Sequence, residues 1–423
     1  MTDEQDDGGN KAGEQERLVG PGLDAAQAFA VCGDALTNAK LDGAGRLEQI
    51  MQAQGLLMAA AGPGHAVRFG DLVDRLDGEK AGALKGMMPD WASPPGLDAL
   101  RFLDKDGYTT EDAYDYRYEV VQVIRAAQKI GRLRGRVTVT DLQGEYKQET
   151  VYASLKGNFY HVHRGNLVKH PAVTIDELKK LRLPPPAMDF YEDIPAHMSY
   201  QGYWFRCPAC KWPMKIQVHG HGQRAQGSMQ CLYPWHAETG ASYIFTPVRG
   251  QIPVLDQAIE FRTPDARHRP LYTGTVPGIP EALPVEGYKA LVRDVWRYTT
   301  IPGLPEVRLY EVLRERLEGT GAWVRLWPDN DIYDLLVARG EQETQQTLFA
   351  VDFKDYRWSN HLVSKLRADG GDKGKAGWIV VPDHRKSQIP QLTEECRRHG
   401  MKAATATDFL ELVVETVTRG AAR

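Results

Sequence analysis

The chain has 423 residues, 42% of them hydrophobic and 26% charged, and a formal net charge of −4. That is enough apolar material for two or three packed domains, and it argues against a uniformly basic nucleic-acid binder while leaving room for a localised basic surface. No apolar run approaches the roughly 18 residues needed to cross a bilayer, no basic segment followed by an apolar core opens the chain, and five scattered cysteines make no disulfide scaffold, so the expectation is a cytoplasmic protein without membrane span or signal peptide.

Residues 1–20 are acidic, Gly-rich and poor in large apolar side chains, and are expected to be a disordered tail. Residues 21–198 are expected to form a mainly helical domain with a small antiparallel sheet. "LDAAQAFAVCGDALTNA", "RLEQIMQAQGLLMAAAG" and "EDAYDYRYEVVQVIRAAQKIG" space apolar residues by three and four, as helices do. "RVTVTD", "ETVYASL" and "NFYHVHR" alternate, as strands do. Thr174 to Glu177, "TIDE", has the spacing of a capping box.

From Val123 to Thr140 there are five cations, Arg125, Lys129, Arg132, Arg134 and Arg136, before any acid. Such a run could lie along a phosphate backbone of DNA. Cations at a helix C-terminus are also favoured by the dipole and are more often simply solvated.

Residues 199–247 carry Cys207-x-x-Cys210 followed by Cys231 and His236. A CxxC turn presents two thiolates to one ion, and a second knuckle about twenty residues later completes a tetrahedral Zn²⁺ site, read as structural because four protein ligands leave no open position. His219 and His221 compete with His236 for the fourth place, and free buried thiols are the bland alternative. The module resembles a zinc ribbon, departing from it in having a His where the second CxxC would close. Residues 248–302 read as a Pro-rich connector with one helix, "GYKALVRDVWRYT".

Residues 303–423 alternate helix and strand in the order α-β-β-β-α-β, followed by helix, strand and helix. Within "LFAVDFKDYR", Asp352 and Lys354 share one face of an otherwise apolar strand, and Asp334 opens the strand "YDLLVAR" before it. Acid-x-Lys triplets also occur at Glu145-Tyr146-Lys147 and Glu177-Leu178-Lys179; the apolar half-strand and the preceding acid-bearing strand single out Asp352-Phe353-Lys354. This stretch resembles the PD-(D/E)xK, restriction-endonuclease-like nucleases. The resemblance implies catalytic Mg²⁺ bound by Asp334, Asp352 and the backbone carbonyl of Phe353, with Lys354 orienting water or stabilising charge on the phosphate. It also implies a first-helix glutamate: Glu306 falls on the apolar face of that helix, whereas Glu311 and Glu315 point away. Asp355 should face the other side of the strand as a solvated or pairing residue.

The fold class expected is therefore α+β multidomain: a helical amino-terminal region with a small sheet, a zinc-ribbon module and a restriction-endonuclease-like domain. The function expected is a Mg²⁺-dependent endonuclease acting on DNA, in an architecture like those of bacterial defence islands beside Argonaute-like and helicase proteins, with a homodimer as a way to cut two strands. The alternative is a non-catalytic subunit that grips nucleic acid or a partner protein.

Overall fold

The computed structural model describes residues 21–421 apart from 38–40, 78–82, 105–106, 108, 130–151, 158, 221–223, 260–270, 273, 275–277, 342–345, 372–373 and 375. The expected tail, the strand "RVTVTD", His221 and the cations Arg132, Arg134 and Arg136 lie outside the described residues; Arg125 and Lys129 lie on a described helix, but their side chains do not. Helix and sheet are mixed, and the chain divides into two compact units: residues 1–141 with 356–372, and residues 142–355 with 373–423. Among the described residues no helix is long and apolar enough to cross a membrane.

The first unit is helical, with helices Pro21–Thr37, Gly43–Ala61, Phe69–Leu76, Glu111–Lys129 and Ser359–Ala368. Alanines at 25, 26, 28, 53 and 60 are buried, letting helix backbones approach closely around Phe29, Leu57 and Tyr116. Glu119, buried in the fourth helix, accepts the N–H groups of Arg357 (2.5 Å) and Trp358 (3.2 Å) and lies 2.9 Å from His361 Nδ1. A carboxylate distant in sequence thus fixes the backbone that leads into the Ser359–Ala368 helix.

The second unit is built around a five-stranded sheet of β1 (Ala322–Leu326), β2 (Leu335–Arg339), β3 (Gln346–Phe353), β4 (Trp378–Val381) and β5 (Lys402–Thr405), paired in that order. The first three strands are antiparallel and the last three parallel. Helices Ile301–Arg316 and Ala406–Ala421 cover one face, where Leu309, Leu313, Phe409 and Val413 meet Val337, Val351 and Val380. The element order matches the expectation for residues 303–423. A separate four-stranded antiparallel sheet, Lys215–His219, Gln226–Gln230, Ser242–Phe245 and Asp256–Gln257, carries the cysteine module.

Local expectations fail in three places, each for a physical reason. "NFYHVHR" is not a strand: Tyr160–Lys169 is a helix whose buried residues, Tyr160, Arg164, Leu167 and Val168, follow helical spacing, while Phe159 and Val162 are exposed. Residues 152–155 of "ETVYASL" are helical as well. In "GYKALVRDVWRYT", Tyr288–Leu291 is a strand held between Ala172–Thr174 and Tyr191–Asp193, so helix begins only at Arg293. The next long helix starts at Ile301, continuous with the helical turns from Arg293, and holds Pro305 inside it, where one backbone hydrogen bond is given up. The capping box at Thr174 and Glu177 is present.

Gly303 brings the Ile301–Arg316 and Tyr160–Lys169 helices together, because a Cβ there would run into the buried Val168 side chain. Replacing a helical glycine by alanine ordinarily stabilises by up to about 1 kcal/mol. Here we expect Gly303→Ala to destabilise by about 1–3 kcal/mol through overpacking, read as a lower denaturant midpoint.

Candidate active site and metal centre

Two adjacent strands bring the acids and the lysine together. β2 and β3 pair with Leu335 opposite Val351, and the Asp334 N–H donates to the Val351 carbonyl at 2.8 Å, so Asp334 and Asp352 adjoin at one end of the sheet. Both are buried, at 6% and 7% exposure. Lys354 Nζ donates to Asp352 Oδ1 at 2.6 Å and lies 3.8 Å from Asp334 Oδ2. The Phe353 N–H donates to Asp334 Oδ2 at 2.5 Å. Glu306, 2% exposed on the Ile301–Arg316 helix, accepts from Trp327 Nε1 at 2.6 Å and from an Arg164 guanidinium nitrogen at 2.9 Å. Glu311 and Glu315 are exposed.

Two residues that the sequence reading passed over complete the cluster. Arg164 pairs with Asp331 as well as with Glu306, and the nitrogen that reaches Glu306 is 3.7 Å from Asp334 Oδ1. Its guanidinium lies over the Trp327 ring at 4.4 Å and the Tyr152 ring at 5.5 Å. Tyr160 Oη donates to Asp331 Oδ2 at 2.9 Å. The signal for Arg164 was an arginine inside the stripe Tyr160, Arg164, Leu167, Val168, visible only when the window runs past "NFYHVHR". Asp331 gave no periodic signal, since it ends a turn in which Trp327, Asp329, Asn330 and Asp331 all have positive φ. Asp and Asn tolerate that conformation, whereas a bulky Trp does so only when held, here by Glu306 and by its N–H bond to the Asp334 carbonyl.

Burial, with like charges nearby, raises the acids' proton affinity. Burial pushes Glu306 up to about 7 against the pull of Arg164, and burial reinforced by Glu306 pushes Asp334 well above the usual carboxylate range. Burial opposes the charge on Lys354, but Asp352 and Asp334 beside it hold its ammonium above the ordinary value. Asp352 Oδ2 is buried with no hydrogen-bond partner among the described residues. An orphaned carboxylate oxygen within an all-oxygen donor set suits a hard divalent cation, so Asp334, Asp352 and Glu306 fit the role of holding Mg²⁺. Beside the cluster, and sharing Tyr160 and Trp327 with it, opens a cleft of about 650 Å³ lined also by Lys169, Tyr310 and Arg325.

The cysteine module gathers Cys207, Cys210, Cys231 and His236, all buried, with their ligand atoms within 4.8 Å of one another. Cys210 Sγ to Cys231 Sγ and Cys207 Sγ to His236 Nδ1 are both 3.8 Å, and Cys231 Sγ to His236 Nδ1 is 3.6 Å. Those are the edges of a tetrahedron with bonds of about 2.0–2.3 Å, so the cluster could hold a zinc ion. With Nδ1 turned to the sulfurs, His236 Nε2 is hydrogen-bonded to Tyr272 Oη at 2.9 Å, which fixes the ring. Burial opposes ionisation of every thiol and pushes Cys210 and Cys231 well up, while the hydrogen bonds of its neighbours pull Cys207 well below the usual value. His219 lies in the strand Lys215–His219, opposite Gln226, and takes no part in the cluster.

Asp355, next after Lys354, is buried and paired instead of solvated. Tyr233 Oη, two residues past Cys231, donates to it at 2.6 Å, and Arg385 Nε does so at 2.9 Å. Burial alone would push Asp355 up; Arg385, His384 and Arg297 pull it well below the ordinary value. Lys365 pairs with Asp369 at 2.6 Å within the first unit.

Metal analysis of protein purified in reductant is expected to give one zinc per chain, and Cys231→Ser is expected to lose it. Tyr233→Phe removes one hydrogen bond to a buried carboxylate and is expected to cost about 1.5–3 kcal/mol of unfolding free energy.

A family model described as "REase associating with pPIWI_RE" matches residues 303–421. No curated protein and no solved structure matches the chain. Residues 303–421 thus form a restriction-endonuclease-like domain that holds Glu306, Asp334, Asp352 and Lys354, whereas Arg164 and the cysteine cluster lie outside it.

Proposed function

We propose that the protein is a Mg²⁺-dependent endonuclease that hydrolyses phosphodiester bonds of DNA. The observation that carries this reading is the convergence of Glu306, Asp334, Asp352 and Lys354 at one end of the sheet, with an Asp352 oxygen that has no hydrogen-bond partner among the described residues. Mg²⁺ held by the acids would supply Lewis-acid stabilisation of the scissile phosphate and lower the pKa of a bound water. Lys354, hydrogen-bonded to Asp352, would orient the attacking water or offset charge developing on the phosphate. The neighbouring cleft, with Lys169 and Arg325 beside Tyr310, offers cations and an aromatic edge to a nucleic-acid strand.

Zinc in the closed Cys3His cluster takes a structural role, since no ligand position is left for substrate. The matched family's description supports a PIWI-like partner, and we read the chain as acting with such a partner in defence against foreign DNA. The cations from Arg125 to Arg136 remain candidates for backbone contact, and a homodimer would supply one site per strand.

A second reading has its own observation. Arg164 already neutralises carboxylates a cation would need, as in a nuclease fold retained only for binding.

Nicking of supercoiled plasmid in Mg²⁺, beside EDTA and with a PIWI-like partner protein added, separates the two. We expect Mg²⁺-dependent nicking by the wild type and a loss of more than about a hundredfold for Asp352→Asn, the scale of removing a group that acts on the transition state. Lys354→Met should lose activity comparably while still binding Mg²⁺ in calorimetry. A wild type that binds DNA but never cuts it would favour the binding subunit.

A further inference from the structure

We propose that Arg164 is a resident counter-ion that occupies the divalent-cation position of the carboxylate cluster, so that the guanidinium and Mg²⁺ compete for the same oxygens. The inference rests on the Mg²⁺-dependent reading above and deepens it. One terminal nitrogen of Arg164 lies 2.9 Å from Glu306 Oε2 and 3.7 Å from Asp334 Oδ1, between two acids that a cation would bridge. Mg²⁺ needs such oxygens at about 2.0–2.1 Å, which an intervening guanidinium prevents, so the competition is steric as well as electrostatic. The charge count agrees. Four carboxyls, Glu306, Asp331, Asp334 and Asp352, face two cationic side chains, Arg164 and Lys354, leaving two negative charges when all are ionised. Removing Arg164 leaves three.

The guanidinium also has somewhere to go. Its second terminal nitrogen pairs with Asp331, which Tyr160 holds at 2.9 Å, and its plane rests on Trp327 and Tyr152. Arg164 therefore releases Glu306 and Asp334 while keeping Asp331 and the ring contacts. Arg164 comes from the Tyr160–Lys169 helix, outside the matched domain, which gives the rest of the chain a hold on whether the site accepts a cation.

Calorimetric titration of Mg²⁺ into the full chain tests this, beside thermal melts in EDTA and in Mg²⁺. Arg164→Gln is expected to bind Mg²⁺ roughly tenfold or more tighter than wild type, the effect of removing one close like charge from a partly dry site. Its melting temperature is expected to fall in EDTA and to recover in Mg²⁺. Equal or weaker Mg²⁺ binding would overturn the proposal. Should Arg164→Gln not fold in either buffer, Arg164→Lys carries the comparison. A lysine has no planar fork to bridge the carboxylates, so it should also bind Mg²⁺ tighter than wild type, and affinity no higher than wild type rejects the competition. Nicking by wild type with unchanged affinity in the variants overturns this inference alone; no Mg²⁺ binding and no nicking by any of the three overturns the nuclease reading with it.

Discussion

Two positive charges let three carboxyls, Glu306, Asp334 and Asp352, be buried at one end of a sheet, with a fourth, Asp331, half-buried beside them. An unpaired ionised acid in such a place costs several kcal/mol, and the acids here would repel one another as well. Lys354 and Arg164 answer that constraint from different directions, one from the strand that carries Asp352 and one from a helix more than a hundred residues earlier. Much of the surrounding architecture serves the second contact. The close approach at Gly303, the ring of Trp327 under the guanidinium and the left-handed turn that swings Asp331 inward all bring Arg164 to Glu306 and Asp334.

A second, separate network steadies the other side of the same strand end. Asp352 and Asp355 lie three residues apart; the first belongs to the acid cluster, and the second is gripped by Tyr233 and Arg385. Tyr233 lies two residues past Cys231 with its Oη 2.9 Å from His384 Nε2, and Trp235 stacks on His384 at 4.7 Å, so the turn that bears Cys231 and His236 is joined by side chains to the segments that follow β3 and β4. Trp212, just past Cys210, stacks on Trp296 at 4.2 Å and donates to the Leu291 carbonyl at 2.8 Å. The cysteine module is thus keyed to the segment leading into the helix that bears Glu306.

How far the sequence could be read depended on whether a residue's partners were local. The order of elements from residue 303 onward follows from period and punctuation, because each element there has a length and an apolar pattern of its own. The cysteine spacing was legible for the same reason, since a CxxC turn is a local device. Glu306 could be placed inward by its position on one helix. What stayed hidden was non-local. Arg164 looked like the end of an alternating strand because Leu167 and Val168, which reveal the helical stripe, lay beyond the window. Tyr288–Leu291 became a strand because two short partners, Ala172–Thr174 and Tyr191–Asp193, flank it, and no local pattern announces such partners. Asp355 was read by its side of the strand alone, which says nothing of a tyrosine and an arginine waiting there.

The division of the chain has a consequence for its birth. Residues 356–372 belong with residues 1–141, yet the whole stretch 142–355 intervenes. When a ribosome has finished Asp355, the early helices still lack Trp358 for their core, and Glu119 still lacks the backbone N–H groups and His361 that occupy its carboxylate. This earlier-made unit must therefore wait, incomplete, for a short segment delivered late, and the segment arrives just behind the lysine of the acid cluster.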